Sequence, residues 1–228
     1  MLTQTHVGTV SARHSGLHSA HRSIPTRGNI GAVQLMGSQM TFGPNEEIFG
    51  ENEPAEYVYK VTKGAVRTYK ILCDGRRQIG GFHLPGDIFG LEFGNEHQFS
   101  AEAINRTTVT VIRRSAVVSL AQRDCEAARE LWNFTGRELY RIQERMMLLV
   151  KSAQQRVACF LLEMSERLAA TDAIELPMSR QDIADYLGLT IETVSRTLTQ
   201  LVSDHAIGLP SSRHIVLRNR SALHRLNS

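Results

Sequence analysis

Two short helices joined by a tight turn are encoded in the stretch Ser179-Arg-Gln-Asp-Ile-Ala-Asp-Tyr-Leu-Gly-Leu-Thr-Ile-Glu-Thr-Val-Ser-Arg-Thr-Leu-Thr-Gln-Leu201. Ser179 is a favourable N-cap because its hydroxyl can accept a backbone N–H, and Asp182 follows in the first turn, where the helix dipole favours a carboxylate. Gly188 predicts the end of this helix, since glycine enters the left-handed region without strain. Thr190 can cap the next helix. The stretch therefore predicts a helix-turn-helix.

Apolar residues mark the inner faces of both helices, namely Ile183, Ala184, Leu187, Leu189, Val194, Leu198 and Leu201. The residues left pointing outward are polar and lie near the start of the second helix: Thr190, Glu192, Thr193, Ser195, Arg196 and Thr199. A recognition helix presents such a face to the major groove of DNA, and the positive end of its dipole favours phosphate. The outward face therefore predicts a DNA-reading surface.

Glu192 and Arg196 are four residues apart and share this face. One interpretation is an exposed i,i+4 ion pair, worth roughly 0.2–0.5 kcal/mol. The other is base readout, because arginine can donate two hydrogen bonds to guanine O6 and N7 while glutamate can accept one from cytosine N4. The helix-turn-helix context favours base readout.

Upstream, between residues 41 and 114, short apolar and β-branched runs alternate with turns that contain glycine. The clearest runs are 57–61, 65–72 and 107–112. Such runs are typical of β-strands, and their spacing suits an antiparallel sandwich or barrel. The first domain is therefore predicted to be all-β.

From residue 114 the apolar period changes from two to about 3.6, as expected for helices. One stripe has intervals of three and four residues, the a/d spacing of a helix that packs along a seam: Trp132, Thr135, Leu139, Ile142, Met146 and Leu149. The stripe could pack on the β domain of its own chain. Its length, with additional apolar surface at Met147, Leu148 and Val150, favours packing against the same helix of a second copy.

The C-terminal part of the chain and its first 40 residues are interpreted from the same apolar periodicity and turn patterns. Residues 152–168 predict a second helix, residues 169–175 a polar linker, and residues 206–209 with 214–217 the two arms of a hairpin that ends a small helical module. Residues 1–40 contain no acid and show no apolar periodicity. Their composition loosely resembles an organelle transit peptide, but a flexible tail is the favoured interpretation.

Composition limits the function classes. The chain has 228 residues, enough for two domains, and no apolar run approaches the roughly 20 residues needed to cross a bilayer. Cys73, Cys125 and Cys159 fit neither a disulfide framework nor a metal site, which favours a reducing compartment, the cytoplasm. No phosphate-binding loop, nucleophile elbow or zinc motif is present, so an enzyme is not expected. The net charge is only +3, but five arginines stand against one acid from Arg196 to the end.

The helix-turn-helix carries a family resemblance. The run Arg180-Gln-Asp-Ile-Ala184, the Gly188 turn and the run Glu192-Thr-Val-Ser-Arg196 resemble the winged helix-turn-helix of the CRP/FNR regulators, and glutamate followed by serine-arginine is similar to the FNR and FixK branch. The glycines of the β domain, Gly64, Gly86 and Gly90, and the long helix after it extend the resemblance over about residues 42–217. It implies a cyclic-nucleotide-binding-type barrel, a dimerisation helix and a DNA-binding module.

The resemblance also implies residue roles. Base-reading residues would be Ile191, Glu192, Ser195 and Arg196, directed to half-sites like TTGA that lie one helical turn apart. Phosphate-contacting residues would be Ser179, Arg180, Gln181, Thr190 and Thr193, with Arg213 and His214 on the hairpin wing. A solvated hairpin tip remains an equal alternative for the last two.

The chain departs from the family at its ligand sites. Nucleotide-binding members carry a Gly-Glu and an Arg-Ser or Arg-Thr pair for the ribose and the cyclic phosphate, whereas this chain has Leu91 after Gly90 and Phe99 before Ser100. Burying a phosphodiester without a cation is unfavourable, so cyclic AMP binding is not expected. No cysteine precedes Cys73, so the iron-sulfur cluster of the oxygen-sensing branch cannot be built in the same way. We expect no cofactor and no metal.

Together these observations predict an α+β chain with a flexible tail over residues 1–40, an antiparallel β-barrel over 41–123, a dimerisation helix over 124–150 and a winged helix-turn-helix over 151–228. The expected function is a homodimeric transcription regulator that binds a TTGA palindrome in double-stranded DNA, acts with RNA polymerase as an activator and controls low-oxygen or nitrogen-fixation genes. The alternatives are a ligand-sensing signalling module without DNA binding and a repressor with an unidentified effector in the barrel.

Overall fold

The computed structural model describes residues 37–227. The tail predicted over residues 1–40 therefore lies mostly outside the described residues. Its last three positions belong to a strand, β1 (Ser38–Phe42), which pairs antiparallel with a later strand from Ser38 opposite Val111 to Phe42 opposite Thr107. Four of its five residues are exposed, so the strand has no apolar alternation that would reveal it in the sequence.

A β-barrel of two antiparallel four-stranded sheets follows, as predicted. After β1 its strands are β2 (Glu47–Phe49), β3 (Tyr57–Lys63), β4 (Val66–Ile71), β5 (Arg77–His83), β6 (Ile88–Phe89), β7 (Ser100–Ala103) and β8 (Thr107–Arg113). One sheet has the order β1-β8-β3-β6 and the other β2-β7-β4-β5. Apolar side chains of both sheets, such as Phe49, Val61 and Val109, fill the space between them.

Two helices leave the barrel: α1 (Arg114–Arg123) and α2 (Cys125–Leu148). Residues 114–123, which the sequence predicts to be helical and assigns to the barrel domain, form α1 and bury Val117. The chain then bends at Asp124, whose side chain caps α2 by accepting the backbone N–H groups of Glu126 and Ala127. The long helix predicted over 124–150 is therefore a separate element with its own start.

The C-terminal module begins with α3 (Ala153–Arg167), which starts at a capping box between Ser152 and Gln155. Next come β9 (Ala173–Glu175), α4 (Arg180–Leu187), α5 (Ile191–Ser203), β10 (Ile207–Gly208), β11 (His214–Leu217) and α6 (Arg220–Asn227). The three strands form one sheet in the order β10-β11-β9.

Two predictions for this module were incomplete. Part of the predicted polar linker forms strand β9. Its three residues are too few to show a strand pattern in the sequence, and the strand forms by pairing with β11. The module also ends in a helix rather than in the hairpin, since α6 packs against α3 and buries Leu223.

One apolar core joins the barrel to this module. Barrel residues Ile79, Phe82 and Leu84 belong to the same buried cluster as Phe160 of α3 and Tyr186 of α4. The ring centroids of Phe82 and Tyr186 are 5.0 Å apart. The helix-turn-helix is therefore packed directly on the barrel through β5 and α4.

Candidate nucleic-acid interface

The turn between α4 and α5 forms as the sequence predicts. The Ser179 hydroxyl accepts the backbone N–H of Asp182 at 3.1 Å, and the Thr190 hydroxyl accepts that of Thr193 at 3.2 Å. Gly188 ends α4 with φ of 64°, in the left-handed region. These three residues set the start of each helix and the bend between them.

Replacing Gly188 by alanine is expected to lower the free energy of unfolding by about 1 kcal/mol, because an L side chain in the left-handed region is strained. Space is not the cause, since the nearest atom to an added Cβ is 3.8 Å away. Urea unfolding measures the change. The control is Gly94→Ala, an exposed glycine outside the left-handed region with open space around it, which should leave stability nearly unchanged. Equal stabilities for the two variants would contradict the role of Gly188.

Helix α5 separates an inner from an outer face. Val194, Leu198 and Leu201 are buried, whereas Glu192 and Arg196 are exposed. Ile191 is 36% exposed, so this apolar side chain can contact a partner at the first turn. Ser195 and Thr193 are partly buried beside them. All four residues predicted to read bases, Ile191, Glu192, Ser195 and Arg196, therefore lie in the first half of one helix.

Glu192 and Arg196 are not paired with each other, since no ion pair joins them in the described part of the chain. The Arg196 guanidinium instead lies 3.5 Å from the Thr193 hydroxyl. Hydrogen bonds from the backbone N–H of Glu192 and from the Thr190 hydroxyl lower the pKa of the Glu192 carboxyl. The contact that an i,i+4 ion pair between Glu192 and Arg196 would require is therefore absent among the described residues, and both charged groups face solvent.

The residues predicted to contact phosphate lie on three neighbouring segments. Ser179, Arg180 and Gln181 form the start of α4, and Thr190 and Thr193 form the start of α5. The third segment is the wing, whose members are Arg213 and His214.

The wing lies beside the chain segment that leads into α4. The carbonyl oxygen of Arg213 accepts the backbone N–H of Leu176 at 2.9 Å, three residues before Ser179. Arg213 is exposed, whereas the ring of His214 lies 3.0 Å from the carboxylate of Glu175.

Among the described residues, the side chains predicted for the seam of α2 are exposed. Trp132 is 79% exposed, Leu149 is 70% exposed, and Thr135, Leu139, Ile142 and Met146 are also exposed. The barrel is covered by a different side of the helix, which buries Ala127 and Phe134. In the described residues the stripe is therefore not buried against the β domain, and its packing against a second copy stays a prediction.

Two barrel residues bear on whether a cyclic nucleotide would fit. Phe99, which stands where the family resemblance places a phosphate-binding arginine, packs so closely on Gly80 that a Cβ there would lie 2.7 Å from its ring. Asp87 accepts the backbone N–H of Leu84 at 2.7 Å and a guanidinium N–H of Arg167 at 2.6 Å. The residues present thus fit an internally paired barrel rather than the ribose and phosphate of a nucleotide.

The histidines of the barrel have structural neighbours. Burial lowers the pKa of His83 to about 4, and its Nε2 lies 3.2 Å from the Thr68 hydroxyl. His97 stacks on Phe49 with ring centroids 3.6 Å apart. Across residues 37–227, no group of three or more His, Cys, Asp or Glu side chains is placed to hold a metal ion.

The contacts between α4 and the barrel were not predicted from the sequence. Asp182, which was predicted only to lie in the first turn of α4, forms ion pairs with Arg67 and Arg77. These partners are 115 and 105 residues away along the chain, so no local pattern signals them.

Two family models match the chain. Residues 39–124 match the cyclic nucleotide-binding domain, and residues 155–226 match the Crp-like helix-turn-helix domain. No helix in the described residues is long and apolar enough to span a membrane.

Two related proteins and one solved structure each match most of the chain. The chain is 50% identical over 202 residues to the nitrogen fixation regulation protein FixK of Azorhizobium caulinodans, covering 86% of this chain and 82% of that protein. It is 41% identical over 200 residues to the transcriptional activatory protein AadR of Rhodopseudomonas palustris, covering 83% and 84%. The solved structure of FixK2 from Bradyrhizobium japonicum matches with a TM-score of 0.81 and 54% identity, over 85% of this chain and 98% of that one.

Proposed function

The chain belongs to the FixK-like branch of the CRP/FNR family of transcription regulators, and we propose that it binds TTGA-type palindromes as a homodimer. Its function is that of a DNA-binding transcriptional activator of the FixK type, a group whose named members regulate nitrogen fixation. Within that function we assign base reading to Ile191, Glu192, Ser195 and Arg196. The cytoplasm is the proposed location, and RNA polymerase is the proposed partner in activation.

A single observation carries this assignment: the first turns of α5 present a carboxylate and a guanidinium that are exposed and not paired with each other. Glutamate can accept a hydrogen bond from cytosine, and arginine can donate two to guanine, so the pair suits the G·C base pair of a TTGA half-site. The N-terminus of α5 supports the same orientation, because its N–H groups favour the phosphates beside the groove.

The seam of α2 supports the homodimer. A row of exposed apolar side chains with a/d spacing is typical of a helix that packs against its own copy. Two copies related by a two-fold axis would present two α5 helices to two half-sites, as a palindrome requires.

Activity without an effector is part of the proposal. The family resemblance places a phosphate-binding arginine where this chain has Phe99, whose ring packs on Gly80, and Asp87 is bonded to Arg167. The alternative, a ligand-sensing module that does not bind DNA, is disfavoured by the exposed reading face of α5.

The test is a gel shift of the full chain without added ligand, on a duplex with two TTGA half-sites and on one in which both half-sites are scrambled. We expect preference for the palindrome by a factor of about 10³ or more, the range typical of specific regulators. Equal binding to both duplexes would refute the proposed function. A preference that appears only with a cell extract would support the alternative with an unidentified effector.

Arg180→Ala is expected to weaken binding to palindromic and scrambled DNA by the same factor, because a phosphate contact carries no sequence information. The slope of log affinity against log salt should fall by about 1. Arg180 is suited to this role because it is the first residue of α4 and its side chain is partly exposed, beside the helix N-terminus that favours phosphate. Fluorescence anisotropy across a salt series measures both quantities. Arg123→Ala, at the end of α1, removes the same charge away from the module and serves as control; a loss confined to the palindrome would contradict a phosphate contact by Arg180.

A further inference from the structure

The first helix of the helix-turn-helix is held to the barrel by charged side chains. Asp182 of α4 lies 3.1 Å from Arg67 of β4 and 2.7 Å from Arg77 of β5. Asp185, one turn later, lies 2.8 Å from Arg77. Gln78 of β5 adds a hydrogen bond to the backbone carbonyl of Asp185 at 2.7 Å. We call these two arginines and two aspartates the clasp.

Asp182 uses its two carboxylate oxygens for different purposes. Oδ1 accepts both guanidinium groups from the barrel. Oδ2 accepts the backbone N–H of Ser179 at 2.9 Å and its hydroxyl at 2.7 Å. The same carboxylate therefore bonds both to the barrel and to the start of α4.

The clasp is anchored on its barrel side. Arg67 also donates to Glu102 of β7 at 2.8 Å and to Asn45 at 3.1 Å, and its side chain is 9% exposed. The side chain of Asp182 is 3% exposed. Buried charges are poor sources of stability, because desolvation offsets most of their attraction, but they accept only a narrow set of geometries.

The clasp leaves the DNA-facing residues uncovered. Gln181 at the start of α4 is exposed, as are Glu192 and Arg196 of α5. The barrel contacts the side of α4 that carries Asp182, Asp185 and Tyr186. The clasp therefore does not cover the predicted reading face.

We propose that Arg67 and Arg77 are positioning residues for DNA binding, which act through Asp182 and Asp185 to fix the helix-turn-helix at a set distance from the dimer axis. This inference rests on the proposed function. Two half-sites lie about one helical turn, roughly 34 Å, apart, so both recognition helices engage a palindrome only when their separation is held. A single half-site makes no such demand.

The experiment compares Arg77→Met with wild type on three duplexes: the palindrome, one isolated half-site, and palindromes with one base pair added or removed between the half-sites. The control is Arg76→Met, because this neighbouring arginine pairs with Asp74 within its own turn and its side chain is 78% exposed. For Arg77→Met we expect palindrome affinity to fall about tenfold, a size typical of coupling between sites. Half-site affinity should be unchanged, and the penalty for altered spacing should shrink.

Arg77→Lys provides a second, milder variant, because it keeps a cation beside Asp182 but cannot reach both aspartates as a planar guanidinium does. It should fall between wild type and Arg77→Met in spacing discrimination.

The contrary outcomes are distinct. Equal loss on half-site and palindrome would show a general structural role, and tighter palindrome binding would show that the clasp inhibits; either overturns the proposal. Unchanged spacing discrimination in both Arg77 variants also overturns it. Failure of the wild-type chain to prefer the palindrome would instead refute the proposed function.

Discussion

Replacing both Leu139 and Ile142 by glutamate is expected to convert the dimer to a monomer and to lower affinity for a palindrome by about 10²–10⁴-fold, the gain that linking two binding modules provides. The two residues are adjacent on the seam and are 55% and 52% exposed in the single chain. In a dimer they would be buried against their own copies, where four glutamates would be desolvated and would repel each other. The fold of each subunit should persist, since neither side chain belongs to a buried cluster of the described chain.

Sedimentation measures the oligomeric state, and anisotropy on palindrome and half-site duplexes measures the functional consequence. Half-site affinity should be retained, because the helix-turn-helix is unaltered. Met40→Glu is the matched control, since it charges an exposed apolar side chain on β1, away from the seam. A double variant that still sediments as a dimer would show that a surface other than α2 joins the subunits.

Arg196→Ala should lower affinity for the palindrome by about 1–3 kcal/mol per half-site, or roughly 5- to 150-fold, and relax the preference at one base pair of each half-site. The guanidinium can donate two bonds to guanine and no other base accepts both in the same way, so its removal costs the correct base pair most. Helix α5 should remain folded, because the side chain is exposed and its hydrogen bond, to the Thr193 hydroxyl, is long at 3.5 Å.

The measurement is a set of duplexes in which each half-site position is varied in turn. Gln200→Ala is the control, because Gln200 lies on the same helix but bonds to Asp204 at its far end. A loss that is the same for every duplex would assign Arg196 to phosphate rather than to a base. This outcome would match the behaviour expected of Arg180→Ala. The two variants therefore serve as mutual references for a phosphate contact and a base contact.

Local chemistry made the helix-turn-helix predictable. Ser179, Gly188 and Thr190 act within four residues of their own position, and the structure has the cap, the left-handed turn and the second cap where the sequence places them. The apolar stripe of α2 was predictable for the same reason, since a stripe is defined by spacing along one helix, while its role as a dimer seam stays a prediction. Its exposure in the single chain depends on which side of α2 the barrel covers, and Phe134 reveals that side only in three dimensions.

Other features depend on partners that are distant in sequence. Strand β1 is mostly exposed and strand β9 is short, and both form by pairing with distant strands, β8 and β11. Their own residues therefore show little of the apolar alternation that predicts a strand. The clasp is the clearest case, because an aspartate in the first turn of a helix is already explained by capping. Its second role appears only when the fold brings β4 and β5 to α4.

The apolar core shared by the barrel and the C-terminal module affects the cooperativity of unfolding. Ile79 and Phe82 of the barrel are buried in the same cluster as Phe160 and Tyr186 of the module, so neither half keeps a complete interior without the other. Cooperative unfolding follows from such continuity, since opening one half exposes the other to water. Heat or denaturant should thus unfold the barrel and the C-terminal module in one transition. The C-terminal module, expressed alone or fused to another protein, would expose Tyr186 and its apolar neighbours unless substitutions or a new partner covered them.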